Sequence, residues 1–299
     1  MISFHKAEAA DRVWAHEILK NCEYPGAEYA FSCMYLWSDY FGELGRVGDH
    51  LTQHASWRGR EVYLYPAGAG DIKGAIEAIR ADAAERGGPL RLRSLTKDKK
   101  EELEALYPGK FEFTACRNSY DYIYTVEELS ELHGKKLQSK RNHCNRFEAA
   151  YPDYRVLPLT ADQLPRCRAF TDEWHRLHFL ENDPADYALE QRAIGLAFDH
   201  FDALGMTGLV LEVEGEVVAF AMGNPIRPDM FDVNFEKARA DMNGPYPMIN
   251  REFARRIAET PYRFLNREDD MGLEGLRRAK ESYIPDLLLE KLLAEELPA

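Results

Sequence analysis

The densest chemistry in the chain lies in the twenty residues from Asn266 to Pro285, NREDDMGLEGLRRAKESYIP. Arg267, Glu268, Asp269 and Asp270 come in succession, and a segment of helical spacing follows with Arg277, Arg278 and Lys280. A carboxylate at a strand end can take a proton from a nucleophile, and a sheltered cation can hold a phosphate or a developing oxyanion. On a strand through YRFLNRED, alternation puts Phe264, Asn266 and Glu268 on one face, and Leu265, Arg267 and Asp269 on the other. On the following helix Leu273, Leu276, Lys280 and Tyr283 fall on one stripe, so Lys280 faces inward. An inward lysine needs a partner or a cavity. The competing reading is a stem packed on apolar surface with its amine in water. Asp269 or Asp270 can also cap the helix, which would make part of the charge crowding structural.

Three further groups have site chemistry. On MFDVNFEKA, Asp232, Asn234 and Glu236 share a strand face opposite Phe231, Val233 and Phe235; a polar row on an interior strand reads as a cleft wall. The run GKKLQSKRNHCNRF carries Lys135, Lys136, Lys140, Arg141 and Arg146 and no acid, with Asn145 beside them. Helical spacing turns Leu137, Cys144 and Phe147 inward with Lys140 near that stripe, leaving a basic face suited to phosphate. The loop RADMNGPYPMIN places Gly244 just before a helix that holds Tyr246 and Asn250, where free N–H groups could cradle an anion. It lacks an RxxGxG pattern. His175 and His178 are three apart on a helix with no third ligand in view, so no metal is expected.

The elements that position these groups alternate between strand and helix along all 299 residues. HLTQHASWRGREVYLYP and GLVLEVEGEVVAFAMG read as hairpins turning at Arg58-Gly59 and Glu214-Gly215, and each leads into further strands and helices. That repeated grammar suggests two α/β domains, residues 1–126 and 127–299. Helices are expected over Glu127–Tyr151, Ala161–His178, Pro184–Leu204 and the closing PDLLLEKLLAEEL; the aromatic run YAFSCMYLWSDYF reads as core. Five cysteines without a CxxC pair fit a reducing compartment. The start lacks the blocks of a secretion signal and no apolar run could cross a bilayer, so a cytoplasmic location is expected. At a net charge of −13 the chain is no generic DNA or membrane binder.

Taken together, DYIY, GKKLQSKRNHCNRF, FEKA, GPYPMIN and NREDDMGLEGLRRAKESYIP resemble a soluble bacterial family related to the C-terminal domain of phosphatidylglycerol lysyltransferases. The resemblance implies two tandem acetyltransferase-like (GNAT) domains with mixed sheets, as in Fem-type aminoacyltransferases. It implies transfer of an acyl or aminoacyl group from acyl-CoA or aminoacyl-tRNA to an amine or hydroxyl. Lys280 matches the family's helix lysine. Glu236 and Asp269 are the candidate bases from the residues themselves. Lys140, Arg141, Asn145, Gly244, Tyr246, Asn250 and Arg267 are the candidates for donor and phosphate binding. The rival reading is a non-catalytic GNAT-fold module that binds a nucleotide, a tRNA or a peptide amine. A homodimer is compatible with the sequence, and integral membrane contact is not expected.

Overall fold

The computed structural model describes residues 2–20, 22–57, 59–178 and 184–298, without the side chains of 178 and 184–186. The chain divides into two compact units. One comprises Met1–Asp121, Glu268–Glu274 and Leu288–Ala299, the other Tyr122–Arg267 and Gly275–Leu287. In chain order the elements begin β1 (Phe4–His5), α1 (Arg12–Leu19), α2 (Phe31–Leu36), α3 (Ser38–Phe41), β2 (Glu43–Val47), β3 (His50–Trp57), β4 (Arg60–Leu64), β5 (Ala67–Gly68), α4 (Ile72–Glu85), β6 (Arg91–Leu95), α5 (Lys97–Leu106) and β7 (Phe111–Ala115). They continue β8 (Asp121–Thr125), α6 (Val126–Glu131), α7 (Gln138–Ala150), β9 (Arg155–Pro158), α8 (Leu164–His178), α9 (Pro184–Asp199), α10 (Phe201–Leu204), β10 (Thr207–Val213), β11 (Glu216–Arg227) and β12 (Met230–Ala238). The last are α11 (Pro245–Ala258), β13 (Phe264–Asn266), α12 (Glu274–Glu281), β14 (Leu287–Leu289) and β15 (Leu292–Glu296).

Each unit is built on one mixed sheet. The first runs β1-β2-β3-β4-β6-β15-β7 with β5 on β3; the second runs β14-β8-β13-β12-β11-β10-β9. Both repeat one order. A three-strand antiparallel meander (β2-β3-β4, β10-β11-β12) leads through a helix to a strand parallel to the third. That strand's other edge is taken by an antiparallel neighbour, β15 in the first unit and β8 in the second.

Local sequence explains these elements. Asp71 caps α4 by accepting from the Gly74 N–H, and Ile76 and Ile79 are buried beneath it. The β10–β11 hairpin turns on Glu214 and Gly215, both at positive φ, as a two-residue turn demands. α11 buries Met248, Ile249, Phe253 and Ile257 on one face. Phe253 is 1% exposed, a burial that contributes about 2–3 kcal/mol. The aromatic stretch Tyr29–Leu36 is wholly buried and serves as core.

Several expectations change. PDLLLEKLLAEEL is not a helix: it forms β14 and β15, and β15 lies between β6 and β7 with ladders on both sides. Short leucine-rich runs suit either state, and non-local pairing decides. The expected helix Glu127–Tyr151 is two, α6 and α7, parted by left-handed Leu132 and Gly134. The strand in YRFLNRED is only three residues long. Leu273 precedes α12 and is exposed, so the inward stripe reduces to half-buried Leu276 with Lys280 and Tyr283. Arg58, at one expected turn, lies outside the described residues.

One polar cluster lies in the second unit's core, on the β12 face opposite Glu236. Lys237 Nζ donates to Glu190 Oε1 at 2.7 Å and stands 3.8 Å from the centre of the Trp174 ring. Burial pushes the Lys237 ammonium down, and Glu190 only partly restores it. Burial opposes ionisation of Glu190, but His175 and Lys237 outweigh it and bring its pKa to about 2. Glu190→Gln is expected to cost about 3 kcal/mol at neutral pH, because it leaves a buried ammonium unpaired. The unfolded chain holds the Lys237 proton more tightly than the folded one, so the deficit shrinks as pH rises from 7 to 10. Denaturant melts at both pH values check this.

Candidate functional site

One cluster of the second unit gathers five of the sequence candidates: Glu236, Asn250, Arg267, Lys140 and Lys280. Glu236 stands near the end of β12, on the face holding Asp232 and Asn234. Asn234 Nδ2 donates to Asp232 Oδ2 at 2.8 Å, so the polar row is a bonded one. Glu236 Oε1 accepts from Arg267 Nη2 at 3.1 Å and Oε2 accepts from Asn250 Nδ2 at 3.0 Å. Arg267 follows β13, the strand parallel to β12, and its backbone N–H donates to the Tyr122 carbonyl at 2.9 Å. The parallel pairing of β12 with β13 therefore carries the arginine to the carboxylate, and the inward face of α11 supplies the amide.

Arg267 is enclosed by aromatic rings. Its guanidinium carbon is 4.9 Å from the centre of the Tyr283 ring and 5.7 Å from that of Tyr124. Burial works against its charge, and Glu236 with the two phenols more than offsets this. Burial pushes both phenols well above their ordinary range, so they stay protonated. Lys140, in the first turn of α7, places Nζ 4.1 Å from the centre of the same Tyr283 ring. Burial first, and the Arg267 charge second, hold its pKa below the ordinary lysine value. Lys280 is 8% exposed and donates to the Arg267 carbonyl at 2.5 Å, while its own carbonyl accepts from the Tyr124 hydroxyl at 2.7 Å. Its amine is thus inside, as the helical spacing suggested, and it braces the backbone that bears Arg267.

Two buried atoms of the cluster have no protein partner: Arg267 Nη1, a donor, and Asn250 Oδ1, an acceptor. Glu236 can only accept, so it fixes the Asn250 amide with Nδ2 toward the carboxylate and Oδ1 away from it.

The other candidates are placed differently. Asp269 belongs to the first unit. There it accepts from the Met271 N–H, and Asp270 accepts from the Gly272 N–H at 2.9 Å, so both carboxylates shape the turn ahead of α12. Asp270 also pairs with Arg117 at 3.0 Å. Arg141 donates to the Leu132 and Gly134 carbonyls and to Gln138, closing the break between α6 and α7. Asn145 is exposed. Gly244 caps α11 at φ 98°, where a Cβ would stand 2.9 Å from the His143 carbonyl oxygen, so close packing against α7 requires it. Pro245 and Pro247 remove two N–H groups from the first turn of α11, which leaves a poor cradle for a pyrophosphate. Tyr246 is half-buried, and burial chiefly pushes its phenol up to about 12. The Tyr124 and Tyr283 rings around Arg267 were not anticipated. Their signal was present: Tyr283 shares the inward stripe of Lys280, and DYIY alternates on a strand. His178 lies outside the described side chains, and no metal-holding cluster occurs among the described ones. No described helix is long and apolar enough to cross a membrane.

A meander, a crossover helix and a parallel strand, repeated in two mixed sheets with a polar cluster at the parallel pair of the second, define a mixed α/β protein. The family described as phosphatidylglycerol lysyltransferase, C-terminal, matches residues 20–295, and the chain belongs to it. A conserved protein of unknown function from Bacteroides thetaiotaomicron VPI-5482 is 36% identical. Its crystal structure superposes with a TM-score of 0.94 over 99% of this chain and 100% of that one. The structure of L-PGS from Bacillus licheniformis shares the fold, with a TM-score of 0.66 at 20% identity over 99% of this chain and 94% of that one. An uncharacterised protein of Mycoplasmoides gallisepticum is 26% identical over 184 residues, which is 60% of this chain and 56% of that protein. The match thus spans little more than half the length of that relative.

Proposed function

We propose that the chain is an aminoacyltransferase that moves an α-aminoacyl group from the ester of a charged tRNA to an amine or hydroxyl, with Glu236, Asn250, Arg267 and Lys140 at the centre. The observation that carries this is the pair of unused atoms beside Glu236. An α-aminoacyl ester has an amine for Asn250 Oδ1 and, one carbon away, a carbonyl oxygen for Arg267 Nη1. A plain acyl thioester would leave the buried Asn250 oxygen unpaired, at a cost of about 1–3 kcal/mol. The two prolines at the start of α11 also favour a tRNA over the pyrophosphate of coenzyme A.

In this reading the acceptor nitrogen or oxygen attacks the carbonyl carbon. Arg267 Nη1 holds the developing oxyanion. Glu236, each of whose oxygens keeps a spare lone pair, takes the acceptor proton. The carbon–oxygen ester bond then breaks, and that proton passes to the departing ribose oxygen. Lys280 positions Arg267 through its carbonyl, and Lys140 meets phosphate. Asp269 is not used.

The donor test is a comparison of 3′-aminoacylamino-adenosine with its counterpart lacking the α-amine, by calorimetric titration. The aminoacyl compound is expected to bind at least tenfold tighter, and Asn250→Leu to erase the difference. Equal binding of the two, or competition by acetyl-CoA, refutes an aminoacyl donor. Both Glu236 oxygens already accept hydrogen bonds, which favours the rival binding module. Tight binding without release of the aminoacyl group to any acceptor amine would select that rival.

Lys140→Met separates function from folding. The folded state disfavours the Lys140 charge, so its removal should leave the melting temperature unchanged or slightly higher. Charged-tRNA binding should fall about tenfold at low salt, with the log–log salt slope reduced by about one. A lower melting temperature with intact binding would make Lys140 a structural residue.

A further inference from the structure

The repeated order of the two sheets has a counterpart in their polar groups. In the second unit Arg267 follows the strand parallel to the meander, and the next residue, Glu268, has φ 55°. In the first unit Arg93 lies on β6, the strand parallel to β4, and the next residue, Ser94, has φ 64°. Each arginine also faces an aromatic ring, Arg93 standing 4.7 Å from the centre of Phe41. Left-handed backbone outside glycine is costly and persists where its surroundings impose it.

Arg93 opens a continuous chain of polar contacts within the first unit. Its Nη2 donates to Gln53 Oε1 at 2.9 Å. The Ser94 hydroxyl donates to Glu28 Oε1 at 2.9 Å. Lys291 Nζ donates to that same oxygen at 2.7 Å and to Asp121 Oδ1 at 2.6 Å. Asp121 Oδ2 accepts from the Ala27 N–H at 2.9 Å. Two buried atoms of this chain are left without a protein partner: Glu28 Oε2, an acceptor, and Gln53 Nε2, a donor. Glu28 is 5% exposed and Gln53 fully buried, while Arg93 and Ser94 beside them are half-buried. Gly26 shapes the acid's end. A Cβ there would sit 2.6 Å from Glu28 Oε2, although the Gly26 backbone, at φ −71°, suits any residue.

We infer that the first unit carries a second small-molecule site, between Glu28 and Gln53 and beside Arg93, for a ligand joining an amine to a carbonyl or carboxylate: a free amino acid or its amide. The ammonium pairs with Glu28 Oε2. The carbonyl oxygen takes Gln53 Nε2 and a remaining N–H of Arg93. Lys291 and the Ser94 hydroxyl already occupy Glu28 Oε1, so the site binds and does not transfer. The inference is independent of the chemistry proposed for the second unit.

The test is calorimetric titration of the full chain carrying Asn250→Leu, which silences the other cluster, with L-alaninamide. One equivalent should bind, and acetamide and ethylamine, each bearing half of the pattern, should bind at least tenfold more weakly. Adding Gly26→Ala, which displaces the Glu28 carboxylate without straining the backbone, should weaken L-alaninamide at least tenfold with an unchanged far-ultraviolet spectrum. Gln53→Met should do the same. Absence of binding in the Asn250→Leu chain, indifference to Gly26→Ala, or equal binding of the half-ligands overturns the site and leaves ordered water as the partner of both atoms. Failure of the second unit's donor test with this binding intact would strike only the transfer chemistry.

Discussion

Lys291→Met should destabilise the protein by about 3–5 kcal/mol, the range found when one member of a buried ion pair is removed. The Lys291 side chain is 3% exposed and its ammonium bridges Glu28 and Asp121, which are 6% and 1% exposed. Burial lowers its pKa, but the two acids raise it further, so in the folded chain it lies well above the ordinary lysine value. A raised lysine pKa gives stability that is complete below the unfolded value of about 10.4 and lost only above it. The wild type therefore draws on this contact at every physiological pH. Methionine keeps the packing of the stem and removes the ammonium that bridges two buried carboxylates. Glu28, opposed by burial but held low chiefly by Lys291, gives the wild type stability that fades as pH falls through the acid range. In the variant the same acid gains from protonation. The two stability curves should therefore converge between about pH 6 and pH 4. A constant gap across that range, measured by urea unfolding, would show that lost packing and not lost charge dominates. Adding Glu28→Gln to Lys291→Met should restore part of the deficit, since it removes one stranded charge.

The second large effect is expected at Arg267. Lysine there keeps a cation beside Glu236 but loses the planar fork that reaches Glu236 with one nitrogen and, in the proposed reaction, would reach the donor carbonyl with another. Aminoacyl transfer should fall about 100- to 1,000-fold, the range for losing one oxyanion donor. The melting temperature should fall by only a few degrees, because Glu236 keeps both Asn250 and a positive neighbour. The loss should appear in kcat more than in KM, since the bond to Nη1 tightens as charge develops on the oxygen. An equal fall in folding stability and in transfer would reduce Arg267 to a structural ion pair.

Much of the second unit's cluster was legible in the sequence, because its members obey local periodicities. Two-residue alternation put Glu236 on a polar strand face, and 3.6-residue spacing turned Lys280 inward and set Lys140 at the edge of an apolar stripe. Local rules also gave the Glu214-Gly215 hairpin and the burial of the Tyr29–Leu36 run. What they could not give was partnership. The pairing of Arg267 with Glu236, 31 residues apart in sequence, depends on β13 lying parallel to β12, and the rings of Tyr124 and Tyr283 reach Arg267 from strand and turn segments on either side of it in the chain. The same limit hid β15, whose leucines suit a helix until a ladder stands on each side. The Gly244 loop failed for a chemical reason: a helix start built on Pro245 and Pro247 has few N–H groups to offer. Arg141 shows that a basic run mixes roles, since one of its cations serves carbonyls at a helix break.

The position of β15 bears on how the chain is made. Residues 292–296 pair with β6 and β7, some two hundred residues earlier, and Lys291 reaches back to Glu28. During vectorial synthesis the emerging β6 and β7 must wait, each with an open edge, until residues 292–296 have left the ribosome. A ribosome that stalls before that point would leave a nascent sheet with a gap in its middle, a natural client for chaperones and proteases.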